Sequence, residues 1–90
     1  MTSLDLFDLN LSGSLSPDLA HLRFLSNLTV ASNQLSGPIP PQLSSLSTIR
    51  YLNLSNNIFN GTFPTQLASL KNLQVLDLYN NMTGEMPLNL

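Results

Sequence analysis

Several residue types that support common functions are absent or scarce in this chain of 90 residues. It has no cysteine, which excludes disulfides, thiolate nucleophiles and cysteine-bound metals and leaves the redox compartment open. Only 9% of its residues are charged, and the cations are Arg23, Arg50 and Lys71, too few and too scattered for a phosphate-binding patch. We therefore expect no nucleic-acid partner.

Long apolar runs are also missing. No stretch approaches the roughly 18 apolar residues that cross a bilayer, so we expect no membrane insertion of this stretch. The opening residues, MTSLDLFDLN, lack the basic start and apolar run of a targeting signal. If the parent protein is secreted or anchored in a membrane, this chain is a piece of it.

What the chain does contain is leucine, at positions that recur every 24 residues. Residues 22–45 and 46–69 each carry the complete pattern, residues 1–21 enter it midway, and residues 70–90 carry it with one residue missing. The four glycines, at 13, 37, 61 and 84, mark the same phase of each unit. A fixed period of this length is typical of a solenoid, in which each unit forms one coil.

Each unit has the local signals of one turn of a coil. The alternation in Leu52-Asn53-Leu54 predicts a short strand with its leucines inward. An Asn after the strand can bond the backbone of the turn and of the next coil, a Gly permits the turn, and a Pro ends strand pairing. We predict a structural role for these residues: Asn33, Asn57, Asn81, Gly13, Gly37, Gly61 and Gly84. Met82 and Met86 are expected to fill the core of the short last unit.

The unit LxxLxxLxLxxNxLxGxIPxxLxx resembles the plant extracellular class of leucine-rich repeats. The closer resemblance is to the amino-terminal repeats of CLAVATA-like and BARELY ANY MERISTEM-like receptor kinases, and it is carried by residues 2–6, 10–13, 15–23, 36–41 and 52–57. It implies an α/β solenoid of about three and a half 24-residue coils, with a short parallel sheet on the concave face. Departures are Leu9 at an Asn phase, Phe7 and Asp8 where such receptors have small residues, and the absence of the family's cap and kinase from this chain.

Stacked strands would align their outward side chains in columns across the concave face. Aromatic side chains with polar neighbours suit the binding of an extended peptide or a protein surface. The predicted contact residues are Asp5, Phe7, Asn27, Thr29, Arg50, Tyr51, Asn53, Ser55, Asn56, Asp77 and Tyr79. The alternative for any one of them is an ordinary solvated strand residue.

Five Asn-x-Ser/Thr sequons indicate N-glycosylation or simply follow from the repeat. Asn10 and Asn60 fall in loop phases and are the better candidates. Asn27 and Asn53 fall on strands, and Asn81 falls in the inward Asn phase.

Catalysis has little support in the sequence. His21 is the only histidine, and the repeat places no serine or carboxylate to act with it. Asp5 and Asp77 share a column but are three strands apart, roughly 14 Å at the usual strand spacing. We expect no enzymatic activity, no cofactor and no metal site.

The predicted function is a protein- or peptide-interaction module from the extracellular part of a plant receptor-like kinase, acting in development or defence, with a peptide, protein or co-receptor as partner. One alternative is a secreted inhibitor of a pathogen enzyme, and another is a purely structural set of repeats. Because neither end has a polar capping coil, self-association through the ends is also expected.

Overall fold

The computed structural model describes residues 2–60, 64–79 and 81, and within them the chain winds as a solenoid of short strands and 3₁₀-helices. The strands are β1 (Thr2–Asp5), β2 (Ser12–Ser14), β3 (Leu25–Thr29), β4 (Gln34–Gly37), β5 (Tyr51–Asn53), β6 (Ile58–Phe59) and β7 (Val75–Asp77). The 3₁₀-helices are η1 (Pro17–His21), η2 (Pro41–Ser45) and η3 (Thr65–Ser69).

The central sheet is parallel, with strand order β1-β3-β5-β7. Its register aligns residues 24 positions apart: Leu4 with Leu28, Leu28 with Leu52, and Leu52 with Leu76. The period of the sequence is therefore the pairing register, because each coil places its leucine beside the same leucine of the next coil. The predicted solenoid with a parallel sheet is confirmed.

A second parallel sheet, with order β2-β4-β6, was not predicted from the sequence. We expected only a turn at the glycines and an end to pairing at the prolines. Instead Gly13 and Gly37 lie inside β2 and β4, with φ of +90° and +78°, a left-handed backbone that few other residues adopt readily. Coils stacked at strand spacing bring these backbone segments alongside one another, and their free N–H and C=O groups pair. Gly61 and Gly84 lie outside the described residues.

The 3₁₀-helices return the chain to the next central strand. Pro17 and Pro41 stand in the first turns of η1 and η2, where a missing N–H costs nothing. Ser16 caps η1 by accepting a hydrogen bond from the Asp18 N–H at 3.1 Å. Leu43 and Leu67 turn inward from η2 and η3.

The core is a stack of leucine layers that is complete only in the middle. Leu28, Leu43 and Leu54 are fully buried, and Phe59 fills the space beside the second sheet. Each such side chain contributes about 1.5–3 kcal/mol when removed from water. In the end coils the matching leucines are only partly buried: Leu4, Leu6, Leu11 and Leu19 in the first, and Leu73, Leu76 and Leu78 in the last.

A ladder of asparagines joins the coils after the central strands β3, β5 and β7. Asn33 Oδ1 accepts hydrogen bonds from the N–H groups of Leu9 and Leu11 at 3.0 and 2.9 Å, and its Nδ2 donates to Leu6 O at 2.9 Å. Asn57 Oδ1 accepts in the same way from the Leu35 N–H at 3.1 Å. Leu9, at the same phase of the first coil, cannot make such bonds, and its side chain is 54% exposed.

Candidate interaction face

The outward side chains of the central sheet form a surface that we call the open face. The register aligns Ser3, Asn27, Tyr51 and Val75 in one column and Asp5, Thr29, Asn53 and Asp77 in another. The two columns lie two positions apart along each strand, with one leucine between them, so both point away from the leucine core. These are the columns expected from the repeat.

The column that ends the strands also has a structural task that the sequence reading missed. In every coil its side-chain oxygen accepts a hydrogen bond from the N–H two residues further on, and so fixes the turn. The oxygens of Asp5, Asn53 and Asp77 do so at 3.0 Å, and that of Thr29 at 3.2 Å. The sequence does carry a signal for this role, since all four coils have Asp, Thr or Asn at this phase.

The next column differs sharply from coil to coil. Phe7 and Tyr79 are 55% and 76% exposed, whereas Ala31 is buried. Ser55, which we expected to be exposed for contact, is only 5% exposed, and its hydroxyl donates to Asn53 Oδ1 at 2.6 Å. Ser55 supports the turn, because its N–H and its hydroxyl both donate to Asn53 Oδ1. The open aromatic rings of this column therefore stand in the outer coils.

Tyr51 lies at the middle of the open face and is held in place by its own strand. Asn53 Nδ2 donates to the Tyr51 hydroxyl oxygen at 3.0 Å. Because that oxygen is the acceptor, the hydroxyl hydrogen can be donated to an acceptor outside the protein. A shallow depression of about 260 Å³ lies beside the ring, lined by Ser3, Leu4, Asp5, Asn27, Thr29 and Tyr51.

Arg50 and Asn56 flank the open face at opposite ends of β5. Arg50 is exposed and lines a second depression, of about 420 Å³, with Phe24, Ser26 and Thr48. Asn56 is exposed in the turn after the strand, with φ of +54°, and its N–H donates to Tyr79 O at 2.9 Å. The face thus offers one cation at its flank and the carboxylates of Asp5 and Asp77 on its two outer strands.

Comparison with known proteins identifies the repeat. The family model described as Leucine Rich Repeat matches residues 24–46 and 48–70, slightly more than half of the chain. The chain belongs to the leucine-rich repeat family.

Solved leucine-rich repeat structures from plants resemble this chain closely. The ectodomain of the Arabidopsis thaliana receptor kinase GASSHO1/SCHENGEN3, solved in complex with CASPARIAN STRIP INTEGRITY FACTOR 2, is 40% identical with a TM-score of 0.88, over 90% of this chain and 10% of that one. The BIR2 ectodomain from the same plant is 38% identical with a TM-score of 0.85, over 89% of this chain and 42% of that one. A plant ice-binding protein is 35% identical with a TM-score of 0.87, over 90% of this chain and 26% of that one.

The comparisons support a leucine-rich repeat of the plant receptor-ectodomain type, and this chain spans only a tenth to less than half of those relatives. The CLAVATA-like subgroup stays a prediction. The fold occurs in receptors and in an ice-binding protein, so function must be argued from the side chains.

The described part of this leucine-rich repeat chain shows no cluster of metal-ligating side chains. No group of three or more His, Asp or Glu side chains in residues 2–60, 64–79 and 81 could hold a metal ion. His21 is exposed in a groove on the 3₁₀-helix side, away from the open face, with Asp18, Arg23 and Gln42 among its neighbours. Among the same residues no helix is long and apolar enough to cross a membrane.

Proposed function

We propose that this chain is part of the extracellular region of a plant receptor-like kinase and binds an extended peptide or protein segment across its open face. Tyr51 carries the proposal. Its ring is half-buried at the centre of the face, its oxygen is anchored by Asn53, and its hydroxyl hydrogen is directed by no other described group. An aromatic side chain held in one conformation loses little entropy on binding and makes a good contact point.

The surroundings of Tyr51 support a peptide rather than a small molecule. The depression beside the ring is shallow and lies between strands, so it suits a side chain of a longer ligand. Exposed Phe7 and Tyr79 extend the aromatic contact surface to the first and last coils. An extended peptide could reach all three aromatic rings. The related GASSHO1/SCHENGEN3 ectodomain was solved in complex with CASPARIAN STRIP INTEGRITY FACTOR 2, which favours a bound partner here as well. Such a receptor would serve development or defence.

Selection of linear peptides from a phage-displayed library on the immobilised chain tests this proposal. Tyr51→Ala and Tyr79→Ala are expected to weaken binding of the selected peptides about tenfold or more, because Tyr51 supplies the aromatic contact at the middle of the face and Tyr79 supplies one in the last coil. Gln42→Ala is the control, since Gln42 is exposed on η2, away from the open face. Peptides that bind both Tyr variants as well as the original chain, or no enrichment at all, would count against the proposal.

The two alternative functions predict different binding at the open face. A secreted inhibitor would use the open face to bind a pathogen cell-wall hydrolase, so such a hydrolase would compete with the selected peptides. A purely structural set of repeats would bind neither, and the Tyr51→Ala chain would differ from the original only in stability.

A further inference from the structure

The five sequons differ in what their asparagine side chains do in the folded chain. N-glycosylation attaches a sugar to Nδ2, so the folded protein must leave that nitrogen and the space around it accessible. A side chain whose two amide hydrogens bond buried carbonyls cannot carry a sugar and keep the fold. The hydrogen bonds therefore sort the sequons.

In two of the sequons the asparagine amide is hydrogen-bonded within the fold. Asn81 Nδ2 donates to Leu54 O at 2.8 Å and to Leu78 O at 3.2 Å, and its Oδ1 is buried. Asn53 Nδ2 donates to the Tyr51 hydroxyl, and its Oδ1 accepts from both the N–H and the hydroxyl of Ser55. A sugar on Asn81 would break the ladder between coils, and one on Asn53 would compete with the Tyr51 phenol for the same space.

The side chain of Asn10 is exposed, unlike those of Asn53 and Asn81. No hydrogen bond involves it within residues 2–60, 64–79 and 81. The backbone on both sides is held, because the N–H groups of Leu9 and Leu11 both bond Asn33 Oδ1. With φ of +56°, Asn10 turns outward between the two sheets.

The third residue of this sequon is equally accessible. Leu11 packs against the core, and Ser12, the first residue of β2, is exposed. Asn10 and Ser12, on either side of Leu11, are both exposed. A transferase can therefore reach both the amide and the hydroxyl that it reads.

We infer that Asn10 is the N-glycan acceptor of this part of the chain, and that the glycan stands beside the second sheet and leaves the open face clear. The inference rests on the extracellular location proposed above. In the transfer, Asn10 Nδ2 forms a bond to C1 of the first sugar of an oligosaccharyl polyprenyl diphosphate. The C1–O bond breaks, the polyprenyl diphosphate leaves, and the amide proton passes to the transferase.

Asn27 and Asn60 are the two remaining sequons at which a glycan could be attached instead. The Asn27 amide is half-buried in the column between Ser3 and Tyr51, so a glycan there would cover the open face. Asn60 is exposed, but the rest of its sequon lies outside the described residues, and it stays a candidate from the sequence alone.

The test expresses the chain with a secretory leader in cultured mammalian cells, in an Asn60→Gln background. Glycopeptides from the membrane fraction and from the medium are treated with peptide:N-glycosidase in heavy-oxygen water. The enzyme removes each glycan and marks its site by leaving a heavy-oxygen Asp in place of the glycosylated Asn. We expect the mark at Asn10 in both fractions, its loss in Ser12→Ala, and no mark at Asn27, Asn53 or Asn81 in secreted protein.

Each other result has a definite meaning. An unmarked Asn10 in the membrane fraction would overturn the inference, whether or not the chain is secreted, because transfer takes place there. A mark at Asn27 in secreted protein would overturn the claim that the open face is clear. The peptide-binding test can use unglycosylated bacterial protein, so its failure and a failure here are distinguishable.

Discussion

Asn57 is the clearest case in which a single residue joins two coils. It is buried, its Nδ2 donates to Val30 O, Leu54 O and Ser55 O, and its Oδ1 accepts from the Leu35 N–H. One side chain thus satisfies backbone groups from two neighbouring coils, at a place where the chain turns and regular pairing ends.

Asn57→Ala is expected to destabilise the chain by about 3 kcal/mol or more, because several buried backbone groups lose their partner and each costs about 1–3 kcal/mol. Urea unfolding followed by circular dichroism measures the change. Asn72→Ala is the matched control, since Asn72 is exposed and makes one bond, to Ser47 O, and it should cost less than about 1 kcal/mol. Equal effects of the two substitutions would contradict this role for Asn57.

The residues that end the central strands show how one position can serve two purposes. The sequence predicts Asp5 and Asp77 as contact residues, and in the structure one oxygen of each also fixes its turn. The repeat shows that a polar residue recurs there, but not which way its oxygen points. That depends on the turn conformation, which a single sequence specifies weakly.

At the scale of the turn itself, a left-handed residue recurs after the central strands. Asp8, Ser32 and Asn56 have φ of +55°, +60° and +54°. Asp and Asn tolerate this conformation better than most residues, and Ser less well. Ser32 is therefore the position at which the backbone of this turn is most strained.

Ser32→Gly is expected to stabilise the chain by about 1 kcal/mol, because glycine adopts this backbone without a steric penalty and the Ser32 N–H can keep its bond to Ser55 O. The shift of the urea midpoint measures it. Ser36→Gly, inside strand β4, is the matched control and should destabilise by about 0.5–1 kcal/mol. A loss of stability in both variants would contradict the strain.

The second sheet shows where reading the chain one element at a time fails. Ile58–Phe59 is too short to be recognised as a strand, and Ser12–Ser14 contains a glycine. They pair because the central sheet already holds successive coils at strand spacing. Their strand conformation is a consequence of stacking rather than of local propensity.

At the scale of the whole molecule, stability is distributed unevenly along the solenoid axis. Leu28 and Leu52 are 0% and 1% exposed, while Leu4, aligned with them in the sheet, is only partly buried. Each coil is covered by its neighbours, so the middle coils carry most of the buried apolar area.

Leu28→Ala and Leu52→Ala are each expected to cost about 2–5 kcal/mol, because each leaves a cavity in a closed layer. Leu4→Ala, the same change at the same phase of the first coil, should cost about 1 kcal/mol, in proportion to its smaller burial. Urea unfolding of the three variants tests this order. An equal cost at all three positions would show that the first coil is as well covered as the middle ones.

The end coils lead to the expectation that the isolated chain self-associates. Phe7 and Leu9 of the first coil are more than half exposed beside the partly buried Leu4 and Leu6, which makes an apolar surface. Light scattering should show a mass that rises with concentration, and Leu9→Asn should reduce the rise. Ile58→Asn, at an exposed apolar residue away from the end, should not. A monomer at every concentration would contradict the expectation.

The sequence by itself determined the solenoid, its 24-residue register, the inward leucines and the recurrent asparagines, because one coil packs on the next and an inward position must repeat its chemistry. Only the tertiary structure decided that a second sheet forms, that Ala31 and Ser55 are buried while Tyr79 is exposed, and that the Asn53 amide bonds Tyr51 whereas the Asn10 side chain is exposed. Each of these depends on how a turn curves and on a neighbour about 24 residues away, so residues at the same phase of the repeat end in different surroundings.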